Sequence, residues 1–346
     1  MTPGAAPPRR DPGGGPDVTV EEVAALLSDP GVKVAVASHR NPDGDAIGSM
    51  LGLARALRAT GRDVVLWHVQ PDPVPYELGF LVQPGERVEA TLPADMAERV
   101  LVAVDCATAD RVADAPPRSL ARAVVNIDHH HDNTRYGTVN LVDGAASSSA
   151  EMVLRVIDAL GLPLTAEVAE PLYVGLVTDT GRFGYSNTTP GAHAAAARLI
   201  AAGIDLPGLT RRLYEQQPLR RLMLQGRALA SARSLLGGRL VVAVLEAEDF
   251  RAAGAGADDT EGIVEALRAA EGAEVAGLAR VDGNGGLRVS LRAASERVDV
   301  SAIARVERGG GHRAAAGFTS HRSPDELVAW LERAVGAQLD AGETPG

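Results

Sequence analysis

The sequence predicts an α/β protein, with an N-terminal, mainly parallel sheet flanked by helices and a smaller C-terminal α/β domain. Three observations lead there. Short apolar runs alternate with stretches of helical periodicity, the pattern of strand–helix–strand units. Several of these runs end in a carboxylate or an imidazole, as expected where ligands gather beyond the carboxyl ends of an open sheet. After a long helical stretch the pattern starts again near Gly238, and 346 residues are enough for two domains.

In chain order, residues 1–17 form a Pro/Gly-rich tail expected to be disordered. Val20–Leu27 reads as a helix with Thr19 as N-cap, and Val34–Ala37 as a buried strand. Ala46–Ala59 is helical until Gly61 stops it, and Val64–Val69 is the next strand. Arg99–Asp105 (RVLVAVD) and Ala123–Asp128 (AVVNID) are strands that finish on aspartate, and helices follow at Ala150–Leu160 and Ala166–Asp179. This first domain is assigned to residues 18–190 and a helical linker to 191–235, the latter rich in arginine. The second domain, 236–341, has a strand at RLVVAVLE, a helix at Gly262–Ala270, strands at Val275–Val281 and Leu287–Leu291 around a Gly-rich hairpin turn, and a last helix from Pro324 to Leu339 behind Ser323.

Composition narrows the function. No apolar run is long enough for a membrane span, and the N-terminus lacks the apolar core of a signal peptide, so a cytoplasmic location is expected. Cys106 is the single cysteine, which excludes an intrachain disulfide and any thiolate cluster for zinc or iron–sulfur. A net charge of −11 argues against a broad basic face gripping long duplex, and 3% aromatic residues are too few for a series of base-stacking platforms. A short anionic substrate is compatible with this charge where arginine is locally concentrated.

The residues that carry chemistry cluster at strand ends. His39, Asp43 and Asp45 follow the first strand, with Pro42 and Gly44 to turn the loop; Asp105 ends another; Asp128, His129, His130 and His131 follow a third; Asp179 lies just after an apolar stretch. Three consecutive histidines in a chain with eight are more than packing requires. Imidazoles mixed with carboxylates suit a hard-to-intermediate divalent ion; Mn²⁺ is favoured, and Mg²⁺, Co²⁺ or Fe²⁺ would satisfy the same donors. Seven or so ligands exceed one mononuclear site and match two ions sharing a carboxylate, the arrangement used in phosphoryl transfer.

These stretches, SHRNPDGDAIGS, VAVD, DHHHDN and TDTG, resemble the motifs of the DHH phosphoesterase family. GGGHRAAAG at Gly309–Gly317 resembles the GGGH motif of its DHHA1 C-terminal domain, and together the resemblance spans residues 18 to about 340. It is most similar to the bacterial oligoribonuclease (nanoRNase)/pAp-phosphatase branch, some members of which also hydrolyse cyclic di-AMP or its linear product pApA. The resemblance implies one metal on His39, Asp43 and Asp105 and another on Asp45, Asp105, His129 and Asp179, with Asp105 bridging. It implies His130 as the group that contacts the phosphate and protonates the leaving oxygen, and Asp128 as the acceptor that orients the histidines. Arg292, His312 and the backbone N–H groups of Gly309, Gly310 and Gly311 would bind the substrate's phosphate or 3′ end.

The chain departs from the family pattern at Glu307 and Arg308, where an apolar aromatic and a glycine are usual, and at Ala293, where serine is expected. His131, His68, His193 and His321 have no assigned role, Cys106 reads as a buried small residue, and Ser147–Ser149 as a helix cap in preference to a group that approaches the substrate. The expected partners are short RNA or a small nucleotide, with no membrane and no long duplex nucleic acid; a homodimer is left open. The competing readings are a RecJ-like single-strand DNA exonuclease, a manganese pyrophosphatase, and a cyclic-dinucleotide sensor that has lost catalysis.

Overall fold

The computed structural model describes residues 10–70, 74–282 and 285–342, which fold as two compact units divided between Gln216 and Gln217. The first unit contains six strands: β1 (Val34–Ala37), β2 (Val64–Trp67), β3 (Val88–Glu89), β4 (Val100–Val104), β5 (Ala123–Asp128) and β6 (Val139–Val142). They lie in the order β3-β2-β1-β4-β5-β6, and every neighbouring pair is parallel. β1 and β4 are buried along their whole length, which explains their unbroken apolar sequences. Alternate side chains serve opposite faces. Val34, Val36, Val100, Val102 and Val104 join the core beneath the long helices, whereas Ala35, Ala37, Leu101 and Ala103 pack with Trp67, Met96 and Tyr136 on the other side.

Chain direction across the sheet reverses between β1 and β4, which makes their carboxyl ends the topological switch point of a doubly wound sheet. The helices Gly44–Arg58 and Ala166–Asp179 pack together on one face, and their approach depends on missing side chains. A Cβ on Gly48 would lie 2.3 Å from the Pro171 carbonyl oxygen, and one on Gly175 2.8 Å from Asp45 Oδ1. The first of these helices begins earlier than its apolar periodicity suggests, because the Asp43 carboxylate accepts from the amides of Asp45 and Ala46. Thr19 and Glu22 form a reciprocal capping box at Val20–Leu27.

Residues 1–9 lie outside the described residues, but residues 10–17 depart from the expected disorder. Asp11 N–H donates to the Thr134 carbonyl, Gly15 N–H to that of Gly137, and Asp17 pairs in parallel with Asn140 beyond the sheet's β6 edge. Edge pairing of this kind depends on a partner more than a hundred residues away, so local composition does not reveal it.

The second unit has β7 (Arg233–Leu235), β8 (Leu240–Leu245), β9 (Val275–Val281), β10 (Leu287–Ala293), β11 (Gly310–His312) and β12 (Ala315–Ser320), ordered β11-β12-β10-β9-β8-β7. Only β8 and β9 pair in parallel among these neighbours. β7 corrects the expectation of a helical segment up to residue 235: three residues are drawn into an edge strand by β8, after the helix Leu219–Ala230 has ended. Part of the expected turn, residues 283–284, is outside the described residues, but the flanking β9 and β10 pair as a hairpin. In β10, Leu287, Val289, Leu291 and Ala293 are buried against the helices Val300–Val306 and Pro324–Gly342, while Arg288, Ser290 and Arg292 point the other way. Among the described residues no helix is long and apolar enough to cross a membrane.

Candidate metal centre

The carboxyl ends of β1, β4 and β5 bring together every residue expected to bind metal. After β1, Ser38 Oγ donates to the Val104 carbonyl at 2.8 Å, so the first loop is tied to the end of β4. His39 is buried, with Nδ1 between the Arg111 guanidinium (2.8 Å) and the Arg40 carbonyl (2.9 Å). Its other nitrogen, Nε2, faces Asp105 Oδ2 at 3.5 Å. His68, unassigned by sequence, is completely buried beneath this loop: Nδ1 accepts from Gln70 N–H, which leaves Nε2–H to donate to the His39 carbonyl at 2.9 Å. Burial holds its pKa below the usual histidine range, consistent with a neutral supporting ring.

Asp105 has a left-handed backbone with φ 54°, an uncommon conformation for a non-glycine residue and one that turns its side chain off the end of β4. The geometry is fixed by its N–H, which donates to the Ile127 carbonyl, and by Ser149 Oγ, which donates to Asp105 Oδ1 at 3.1 Å. Asp45 accepts from the amides of Ser149 (2.6 Å) and Ala150 (2.9 Å) at the start of the helix Ser149–Ala159. The serine run therefore does more than cap: Ser148 Oγ caps the helix by accepting from Glu151 N–H, while Ser149 fixes two carboxylates of the centre. Asp179 is held by Asn187 Nδ2, which donates to Oδ2 at 3.0 Å.

His129 Nε2 lies 3.6 Å from Asp105 Oδ1, 3.6 Å from Asp179 Oδ2 and 4.0 Å from Asp45 Oδ2. Two groups of donor atoms within 4.8 Å result: His39, Asp43 and Asp105, and Asp45, His129 and Asp179. Asp105 also groups with His129 and His130. Separations of 3.5–4.0 Å are too long for hydrogen bonds. They suit atoms that each sit about 2.1 Å from a shared ion.

Electrostatics supports the same fit. Burial, together with the charges of Asp105, Asp179 and Asp43, pushes the Asp45 carboxyl well above the ordinary range. Burial also raises Asp179, to about 6; His129 pulls against this, and Asp105 and Asp43 add to it. Asp105 moves the other way: burial opposes its ionisation, but the close approach of His39 and the charges of His130, His39 and His129 outweigh that and lower its pKa. His39 is in turn raised by Asp105 against the opposing effect of burial. Carboxylates forced together in this way, with imidazoles as co-donors, are what a divalent cation would neutralise.

His130 is directed elsewhere. Its Nδ1 bonds Asp128 Oδ1 at 2.7 Å and lies 3.7 Å from Asp105 Oδ1. The hydrogen bond to Asp128 raises its pKa to about 9 against the effect of burial. Asp128 is fully buried, and besides His130 it accepts from His129 N–H and from Asn133 Nδ2. Sequence reading gave Asn133, Asn187, His68 and Ser149 no role at this centre; all are single polar residues whose partners are set by tertiary structure. His131 is exposed, and His193 stacks on Phe183. Burial pushes the Cys106 thiol up to about 12, which rules out a thiolate nucleophile at neutral pH.

The expected substrate residues belong to the second unit. Arg292 Nε donates to Glu265 Oε1 at 2.9 Å. Gly310, Gly311 and His312 form β11, opposite Gly317, Ala316 and Ala315; the His312 side chain is outside the described residues. The Gly309 N–H, expected among the phosphate donors, is instead given to the Ala304 carbonyl at 2.9 Å and is no longer free to bind a ligand.

Comparison with known proteins agrees with this organisation. The DHH family N-terminal domain matches residues 33–176 and the DHHA1 domain residues 237–337. The chain is 39% identical over 278 residues to the bifunctional oligoribonuclease and PAP phosphatase NrnA of Thermus thermophilus, covering 79% of each protein. In fold it resembles an exopolyphosphatase-related protein from Bacteroides fragilis (TM-score 0.83, 23% identity, 94% of this chain and 98% of that one). It also resembles exonuclease RecJ bound to manganese (TM-score 0.54, 19% identity, 95% of this chain and 96% of that one).

Proposed function

This chain belongs to the DHH phosphoesterase family and is a phosphoric ester hydrolase, and from that premise we propose that it releases nucleotides from the end of short oligoribonucleotides and removes the 3′-phosphate of 3′-phosphoadenosine 5′-phosphate (pAp). The observation that carries the reading is the pair of donor groups on either side of Asp105, with His130 beside them on its own carboxylate. Two divalent ions, Mn²⁺ by the mixed donor set, would be held by His39, Asp43 and Asp105 and by Asp45, Asp105, His129 and Asp179, and when bound they supply an acidified water near neutral pH and neutralise phosphoryl oxygens.

The chain's own residues do the remaining work. Ser149 and the amides it shares with Ala150 keep Asp105 and Asp45 in position, so little reorganisation is needed when substrate arrives. His130 is the general acid: Asp128 holds its Nδ1 and keeps the ring protonated at neutral pH, and Nε2–H is left to donate to the leaving oxygen. Arg292, with its planar fork of donors, binds a substrate phosphate after exchanging Glu265 for it. Cyclic di-AMP and pApA present the same phosphodiester and are proposed as further substrates.

Steady-state assays in Mn²⁺ with pAp, RNA of two to five nucleotides and cyclic di-AMP test the proposal. Metal-dependent release from pAp and short RNA is expected. Release from none of them overturns the reading, and processive digestion of long single-stranded DNA overturns its substrate class.

A further inference from the structure

The outward face of the β9–β10 hairpin carries charge that the proposed chemistry leaves unused. Its register sets Arg288 directly opposite Arg280 and Ser290 opposite Leu278. Like charges facing each other across two strands repel and weaken the pairing. Neither guanidinium donates a hydrogen bond or joins an ion pair among the described residues. Arg292, on the same face of β10, is by contrast already engaged by Glu265.

All three arginines and Ser290 line a pocket of about 220 Å³, together with Glu261 and Glu265. Three guanidiniums against two carboxylates leave the pocket net positive, in a chain whose net charge is −11. Among the described residues Glu265 Oε2 has no hydrogen-bond partner, so the carboxylate lining the pocket also offers an acceptor for a hydroxyl. A ligand with phosphate oxygens for the guanidiniums and a sugar hydroxyl for the carboxylate is a ribonucleotide unit.

We propose that Arg280 and Arg288 form a second phosphate subsite, which holds an internal phosphodiester of a short oligoribonucleotide. The inference rests on the substrate class proposed above and deepens it. pAp has no internal phosphodiester, so the subsite favours chains of several nucleotides over pAp.

Equilibrium binding of a fluorescein-labelled RNA pentamer to the full chain in EDTA, read by anisotropy over a range of KCl concentrations, tests the subsite without turnover. R280Q/R288Q is expected to weaken binding about tenfold at low salt and to lower the slope of log Kd against log salt by about 0.7, the value for one phosphate neutralised on a single strand. R288Q alone, at an exposed position, should lower the slope by about half as much. The double variant's Tm should equal or exceed that of the parent because a repulsion has been removed, whereas a structural role for the arginines would lower it. In Mn²⁺, kcat/KM for the pentamer should fall about tenfold while that for pAp stays within about twofold. No measurable pentamer binding by the parent, an unchanged salt slope, or an equal loss on pAp and pentamer overturns the subsite. If the parent hydrolyses neither substrate but the slope changes as expected, the subsite stands and the proposed reaction fails.

Discussion

At the carboxyl edge of the first sheet, Asp45 and Asp105 are buried, held by backbone amides and by Ser149, and crowded against other carboxylates. On the outward face of β9–β10, Arg288 is exposed, Arg280 and Arg292 are half-buried, and among the described residues Arg292 alone of the three has a protein partner. The first region concentrates negative charge where it is costly and fixes each oxygen. The second collects positive charge where water screens it and leaves the side chains free to adjust. A buried, fixed ligand set suits a chemical step, which fails when one atom moves; a half-exposed arginine face suits binding, which weakens by degrees. Substitutions in the two regions should therefore differ in which kinetic constant they change.

The largest effect is expected from Asp105, which among the described residues is the carboxylate shared between donor groups. Asp105→Ala should reduce kcat at least about a thousandfold. Bound manganese, measured by elemental analysis after gel filtration, should fall below that of the parent chain. Retention of both full metal content and activity would remove Asp105 from the centre. Next is His130→Ala, for which kcat should drop about 10²–10⁴-fold, the range for loss of a general acid. Its pH behaviour gives a stricter test. A general acid must be protonated, so kcat falls as pH rises through its pKa, and the Asp128 carboxylate is what holds that pKa up. Asp128→Asn should therefore move the alkaline limb of kcat to lower pH; a shift upwards, or none, would argue against His130 as the acid. A smaller effect belongs to the second region. Arg292→Ala should raise KM about tenfold with kcat within about threefold of the parent, and an equal loss in both would erase the contrast between the regions.

How far each region was legible in sequence follows from the same contrast. β1 and β4 were plain because strands buried on both faces need unbroken apolar runs, β5 because Asn126 alone interrupts its run, and the metal donors were plain because they cluster at or just beyond the ends of such runs. The short edge strands β3, β6 and β7 were not, since two to four residues acquire strand character from a neighbour. The residues that tune the centre were hidden for a related reason: nothing near Ser149 in sequence predicts a bond to Asp105, forty-four residues away. Arg280 and Arg288 become visible only when the hairpin register is counted back from the turn, which brings residues eight apart face to face.

The smallest expected effect concerns stability, and its sign is opposite to that of a salt-bridged carboxylate. In the metal-free protein Asp179 titrates near 6, above the 3.8 of an unperturbed aspartate, so between these values the folded state binds a proton that the unfolded state has released. Stability from this group is therefore lost as pH rises through that window, and it stays lost above it. The cost comes from burial and from repulsion by Asp105 and Asp43, with His129 opposing. Asp179→Asn removes the titrating charge with little change in shape. In EDTA at pH 7.5 the variant should melt a few degrees above the parent, and the gap should close towards pH 4.5 as the parent's carboxyl becomes protonated. Added Mn²⁺ should reverse the order, because the parent gains more from an ion that binds only the folded state. A variant less stable than the parent in EDTA at pH 7.5 would mean that Asp179 is already compensated by the protein, and that the centre is less primed for cations than its carboxylates indicate.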